Sequence, residues 1–222
     1  MAQPTPENWR ASDELLAEIL LDRDPVLDAA LDAQRRAGLP EIEVSPVSGK
    51  LLNLLVRMSG ARRVLEIGTL GGYSTIWLAR GVGDGGQVTT IEAEQVNADI
   101  ARENIDAAGV GDRVQILVGR GADVLPGLDG SEPFDLVFID ADKESNTIYL
   151  DWAARLGRAG TVVVLDNTGR DGEIVNASST DSKVRGTIEG LRMLGEDQRF
   201  DATALQTVGL KGWDGIAIAL VV

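Results

Sequence analysis

Chemistry in this chain has a restricted vocabulary, because histidine and cysteine are both absent from its 222 residues. An imidazole base, a thiolate nucleophile, a disulfide, an iron–sulfur cluster and zinc sites built on Cys or His are thereby excluded. Proton transfer falls to Asp, Glu, Lys or Tyr. Such residues, together with glycines, gather at the ends of short apolar runs. The first group is Glu66-Ile67-Gly68-Thr69-Leu70-Gly71-Gly72-Tyr73-Ser74. Glycines allow close backbone approach, and a helix starting after them points its positive end at a ligand. The spacing is not G-x-G-x-x-G, since Leu70 stands where the second Gly of a dinucleotide fingerprint belongs. A nucleoside-type cofactor and an ordinary tight strand–helix turn both fit.

Glu92 ends the next apolar run. A carboxylate there can accept both hydroxyls of a ribose, or serve only as an acidic helix start with Glu94. After the third run, Gly119-Arg120-Gly121-Ala122 is small enough for a flat base to lie alongside. The fourth run ends in Phe138-Ile139-Asp140-Ala141-Asp142-Lys143 and the fifth in Leu165-Asp166-Asn167. Adjacent parallel strands would bring Asp140 and Asp166 together. Two carboxylates and an amide oxygen are hard donors that suit Mg²⁺ or a similar divalent ion; Asp and Asn are equally common as turn residues. Lys143 reads as a surface ion pair, or as a general base if a nearby bound cation disfavours its ammonium form.

These groups need elements to hold them. Arg63–Ile67, Val88–Glu92, Val114–Val118, Leu136–Asp140 and Thr161–Leu165 read as buried strands, alternating with helices at Tyr73–Arg80, Glu94–Ala108, Ala122–Leu128 and Glu144–Leu156. That alternation predicts a parallel sheet covered on both faces, with ligands outside the carboxyl ends of its strands. The first 60 residues read as helices, the first capped by Ser12, the second by Asp24 before Pro25, and the third carrying Leu51, Leu52, Leu54, Leu55 and Met58 on one face. After Leu165 come a polar loop, a helix near Asp181–Leu194 and two strands near Thr203–Val208 and Gly215–Val221 that can pair as an edge hairpin. The expectation is one α/β domain over residues 1–222: a doubly wound sheet with an antiparallel C-terminal strand (61–222) and a helical N-terminal extension (1–60).

Composition narrows the partners. With 21 Lys and Arg against 35 Asp and Glu, the formal net charge is −14, which repels a phosphate backbone and disfavours nucleic acid. No apolar run is long enough for a membrane helix, and the N-terminus lacks the basic start and apolar stretch of a secretory signal, so a cytoplasmic protein is expected. Of the four tryptophans, Trp77 and Trp152 read as core; Trp9 and Trp213 read as packing residues, or as lining for a substrate mouth or dimer contact.

Taken together, EIGTLGGYS (66–74), Glu92, FIDADK (138–143) and LDNTGRDGE (165–173) resemble the cation-dependent class I O-methyltransferases, the family of catechol and caffeoyl-CoA O-methyltransferases and their bacterial relatives. The likeness runs over about residues 40–222, and the DADK and DN segments are its specific part. It implies the seven-stranded Rossmann-like methyltransferase fold and S-adenosylmethionine as methyl donor. By that resemblance Gly68, Gly71 and Ser74 approach the methionine end of the cofactor, with Glu66 and Thr69 in the same loop. Glu92 takes the ribose hydroxyls, Gly121 and Ala122 border the adenine, and Val44 and Ser45 belong to a segment that closes over the cofactor. Asp140 would touch the cofactor and, with Asp166 and Asn167, hold a cation, Mg²⁺ foremost, with Mn²⁺ or Ca²⁺ as alternatives. Lys143 would be the base, and Asp140 its catalytic neighbour.

The implied acceptor is a vicinal dihydroxy aromatic, and the implied assembly a homodimer through the N-terminal helices. Arg170 and Asp171 depart from the plant caffeoyl-CoA enzymes, which carry an aromatic residue there, and basic residues for a CoA tail are not evident. A small free phenol is therefore the expected substrate. Two other functions stay open: methylation of a hydroxylated uridine in tRNA, against which the charge argues, and cofactor binding without catalysis, against which the presence of Asp140, Lys143, Asp166 and Asn167 argues.

Overall fold

Each N-terminal helix begins at a residue able to accept from the free N–H groups of its first turn. The computed structural model describes residues 5–176 and 178–222. In it α1 (Pro6–Leu20) starts about two turns earlier than the expected Ser12 cap. Thr5 and Asn8 form a reciprocal capping box, Asn8 N–H donating to Thr5 Oγ1 at 3.3 Å and Thr5 N–H to Asn8 Oδ1 at 3.1 Å. Ser12 instead sits inside the helix, its hydroxyl donating to the Asn8 carbonyl at 2.7 Å. Helix α2 (Pro25–Arg36) is capped by Asp24 and α3 (Pro46–Ser59) by Ser45, each with Pro in the first turn.

The sheet follows. β1 (Arg63–Ile67), β2 (Gln87–Glu92), β3 (Val114–Val118), β4 (Leu136–Ile139) and β5 (Val162–Asp166) pair in parallel. Between them lie α4 (Tyr73–Val82), α5 (Gln95–Ala107), the short α6 (Gly121–Val124) and α7 (Asn146–Leu156). The helix expected over Ala122–Leu128 breaks into α6 and a 3₁₀ turn at Leu125–Leu128, where Pro126 supplies no N–H. A 3₁₀ turn at Lys143–Ser145 likewise precedes α7. Helix α8 (Ser182–Glu196) leads to β6 (Phe200–Gly209) and β7 (Gly212–Val221), a hairpin closed at Leu210-Lys211. The order is β3-β2-β1-β4-β5-β7-β6, with β7 antiparallel to both neighbours.

Alternation along the strands feeds two apolar layers. Val64, Val88, Phe138 and Val164 face Ile76, Leu78 and Val56 on one side; Leu65, Ile67, Val137, Ile139 and Val163 face Tyr149, Leu150 and Ala153 on the other. Each such side chain contributes roughly 1.5–3 kcal/mol when fully buried. Glu66 falls on the first face, beneath α4, by the same parity. After β1 the chain moves outward to β2 and β3, then returns to β4 on the opposite side of β1. The reversal leaves a crevice at the carboxyl ends of β1 and β4, where doubly wound sheets bind ligands.

Candidate active site

The carboxyl ends of β1, β2, β4 and β5 open into a cavity of about 1600 Å³. Val44, Gly68, Thr69, Gly71, Ser74, Glu92, Gly121, Asp140, Lys143, Asp166 and Asn167 all line it. Of the residues expected at the site, Glu66 and Ala122 do not. Ala122 packs against the second apolar layer. Glu66 is fully buried below the loop, accepting from the hydroxyls of Ser74 at 2.6 Å, Thr90 at 2.6 Å and Thr75. Its reach into the cavity is indirect, through Ser74. Burial pushes the Glu66 carboxyl up to about 7 against the pull of the three hydroxyls, and the charge of Asp140 adds to the rise.

The glycine loop is built by close contact between strands. Gly68 has φ +104°, and a Cβ there would lie 2.1 Å from the Asp140 carbonyl oxygen. Only glycine lets the end of β1 cross the end of β4 this closely. The loop is fastened by Glu92. One oxygen accepts from Thr69 N–H at 3.3 Å and Leu70 N–H at 2.8 Å; the other accepts from Glu94 N–H and Asn97 Nδ2, both at 3.0 Å. Those four donors match the roughly four lone-pair sites of a carboxylate. A ribose hydroxyl at Glu92 must therefore share a site or replace the long Thr69 bond. Gly121 is small for a different reason: a Cβ there would meet the Tyr149 ring at 2.7 Å.

The acidic end gathers as the strand ends suggested. Lys143 is buried, and its Nζ lies 2.8 Å from Asp140 Oδ1. Burial pushes the Asp166 carboxyl up to about 7, and the nearby Asp140 charge pushes the same way. Asn167 takes a left-handed conformation (φ 59°), its N–H donating to Asp166 Oδ1 at 2.8 Å. Its Nδ2 donates to Asp214 Oδ2 at 3.2 Å, which turns the amide oxygen away from Asp214. Among the described residues no group of three or more His, Cys, Asp or Glu is set to hold a metal; the donor set here is two carboxylates and an amide.

Three features of the site were not singled out in the sequence. Asp214, from β7, fastens the loop after β5: Oδ1 accepts from the N–H groups of Gly169 at 2.9 Å, Arg170 at 3.1 Å and Gly215 at 2.9 Å. Asp142, beside the acidic pair, accepts from the hydroxyls of Tyr149 and Ser145. Burial and that carboxylate push the Tyr149 phenol upward, so it stays a donor. Finally, Lys211 at the hairpin tip binds Glu43 Oε1 at 2.7 Å and the Glu41 carbonyl at 3.0 Å, while buried Gln34 donates to Glu43 Oε2 at 2.7 Å. These bonds fasten the segment carrying Val44 and Ser45 across the cavity. Trp213 stacks near Gly172 and donates to Gln206 at 3.0 Å, so its contacts are with the loop and hairpin.

The model of a family described as O-methyltransferase matches residues 18–221. The catechol O-methyltransferase of Mycobacterium tuberculosis is 53% identical over 219 residues, 99% of this chain and 97% of that protein. Among solved structures, an O-methyltransferase from Bacillus cereus in complex with SAH superposes with a TM-score of 0.96 at 47% identity, covering 98% of this chain and all of that one (100%). The O-methyltransferase of tomaymycin synthesis from Streptomyces achromogenes, in complex with SAM, gives 0.95 at 43% identity over 99% of both chains.

Proposed function

Because this chain belongs to the O-methyltransferase family, we propose that it transfers the methyl group of S-adenosylmethionine to one hydroxyl of a catechol-like small molecule, with a divalent cation in the site. The observation that carries this reading is the meeting of Asp140, Lys143, Asp166 and Asn167 in one cavity with the Gly68–Ser74 loop and Glu92. Binding the cofactor alone needs no metal site, which argues against a cofactor-binding protein without catalysis.

The residues fit a divalent ion. Burial, with the nearby Asp140 charge, raises the cost of ionising Asp166, and a cation offsets that cost. Asp140, Asp166 and the Asn167 amide oxygen are the hard donors that would hold it, with Mg²⁺ favoured and Mn²⁺ or Ca²⁺ taking the same set. A cation held there supplies Lewis acidity toward an acceptor hydroxyl. Lys143, starting as the neutral amine that a bound cation would favour, would take the hydroxyl proton at Nζ, and Asp140 would orient it across the 2.8 Å contact. The glycine loop, Ser74 and Glu92 hold the methyl donor for in-line attack, and buried Val44 and Ser45 keep water out.

The relatives support a small phenol as acceptor, the Mycobacterium tuberculosis one being a catechol O-methyltransferase by name. No helix among the described residues is long and apolar enough to cross a membrane. The reading further takes the chain as a homodimer joined at its N-terminal helices, where α1 exposes Leu15, Leu16, Ile19 and Leu20. The test is transfer of radiolabelled methyl from S-adenosylmethionine to catechols, caffeic acid included, with Mg²⁺ and then EDTA. EDTA-sensitive transfer is the expected result; cofactor binding with no transfer to any catechol would overturn the acceptor assignment.

A further inference from the structure

Arg170 is an unspent charge inside the cavity. It lines the same space as Asp140, Lys143, Asp166 and Asn167. It is half-buried, and its Nε is buried with no hydrogen-bond partner among the described residues. Other arginines among the described residues that are sheltered to this degree each face a carboxylate: Arg63 has Glu132, Arg80 has Asp24, Arg102 has Asp106, Arg113 has Asp84 and Arg199 has Asp151. Among the described residues Arg170 has no carboxylate within ion-pair distance. Asp214 cannot fill that role, since its oxygens are taken by Asn167 Nδ2 and the N–H groups of Gly169, Arg170 and Gly215.

The backbone holds this residue where it is at some cost. Arg170 has φ 49°, a left-handed conformation disfavoured for a side chain of this size, and Asp214 Oδ1 accepts its N–H at 3.1 Å. A partly desolvated guanidinium without a partner is expensive unless a ligand completes it. The planar fork of arginine matches a carboxylate through two parallel hydrogen bonds.

We propose that Arg170 reads a carboxylate on the methyl acceptor, so that the preferred substrate class is the catechol carboxylic acids. This rests on the catechol reading above. The acceptor's hydroxyls lie at Asp140, Lys143 and Asp166, and its acidic substituent lies toward the loop after β5.

The test compares kcat/KM for 3,4-dihydroxybenzoate and its neutral amide, with saturating S-adenosylmethionine and Mg²⁺. Each ratio is taken on one enzyme sample, so partial misfolding of a variant cancels. A charge-assisted pair predicts a preference for the acid of roughly 10- to 100-fold in the native protein. Arg170→Gln should bring the ratio near one, Arg170→Lys should keep part of it, and Arg170→Glu should reverse it. Calorimetry with the enzyme loaded with S-adenosylhomocysteine and Mg²⁺ should show the Kd of 3,4-dihydroxybenzoate weakened by Arg170→Gln in the same proportion. An unchanged ratio in Arg170→Gln, or a native ratio near one, overturns the role of Arg170 while leaving catechol methylation standing. Transfer to neither acceptor overturns the catechol reading and this proposal together. A native preference for caffeoyl-CoA over caffeate would assign the guanidinium to the phosphates of a thioester tail and overturn the carboxylate assignment.

Discussion

Replacing Glu66 by Gln should change how the stability of this protein depends on pH. Glu66 is fully buried beneath α4, and burial pushes its carboxyl from 4.5 to about 7. Between those values the unfolded chain has released the proton and the folded chain keeps it. Folding then takes up a proton, and stability falls as pH rises. The contribution is fully present below pH 4.5 and is lost as pH passes about 7. At about 1.4 kcal/mol per unit, the swing is on the order of 3 kcal/mol. Gln is close in shape, stays neutral and still offers one oxygen to the hydroxyls of Ser74, Thr75 and Thr90.

Urea unfolding of both proteins at about pH 5 and pH 8 measures this swing. Other titrating groups act on both proteins alike and drop out of the difference when they are distant from Glu66. The stability of Glu66→Gln relative to the native chain should improve by roughly 3 kcal/mol from the lower to the higher pH. A difference between the two proteins that does not vary with pH would refute the argument. It would mean that the three hydroxyl donors hold the buried carboxylate ionised as easily as water does.

Three further outcomes are expected. Asp140→Ala should abolish methyl transfer while S-adenosylmethionine binding, followed by calorimetry, stays largely intact; equal loss of both would count against Asp140 as chiefly a cation ligand. Gly68→Ala should destabilise the fold by about 3 kcal/mol in urea and weaken cofactor binding, because the new methyl meets the Asp140 carbonyl at 2.1 Å in a backbone conformation that L-residues avoid. Asp24→Ala should cost roughly 1–2 kcal/mol by the same assay, since Asp24 caps α2 at Val26 and Leu27 and pairs with Arg80. Hydrogen bonds and the Arg80 charge hold the Asp24 carboxyl below its ordinary value of 3.8 despite burial, so that contribution is present above pH 3.8 and lost on acidification.

The candidate site was legible because its residues sit at strand ends, where a run of apolar residues stops. Gly68, Glu92, Asp140 and Asp166 each occupy or follow such a position, and parallel pairing brings those ends together. Period and propensity therefore located both the sheet and the cavity. They misjudged the start of α1, since Thr5 with Asn8 forms a capping box whose third-position partner is Asn where Glu or Gln is the familiar signal. The family resemblance groups Glu66 with the glycine loop, and its carboxyl does not itself line the cavity. Strand parity sends it the other way: β1 alternates, Val64 and Glu66 share a face, and that face lies beneath α4.

What the sequence concealed is the set of long-range fasteners, and the reason is geometric. Asp214 does its work from β7, antiparallel to β5, where the register sets Asp166 against Ile216 and so brings the start of β7 beside the loop that follows β5. No local pattern marks an aspartate as the acceptor for three backbone N–H groups more than forty residues earlier or adjoining it in the strand. Lys211 is similar, a hairpin-tip lysine by sequence and the tie to the Glu41–Glu43 segment by structure. The consequence for Arg170 is direct. Its odd backbone conformation and its place on the cavity wall are imposed by Asp214, whose carboxylate is spent on that loop. A guanidinium held in place by a carboxylate that cannot neutralise it is set for an anion from outside, and the acceptor is the ligand that the cavity must admit.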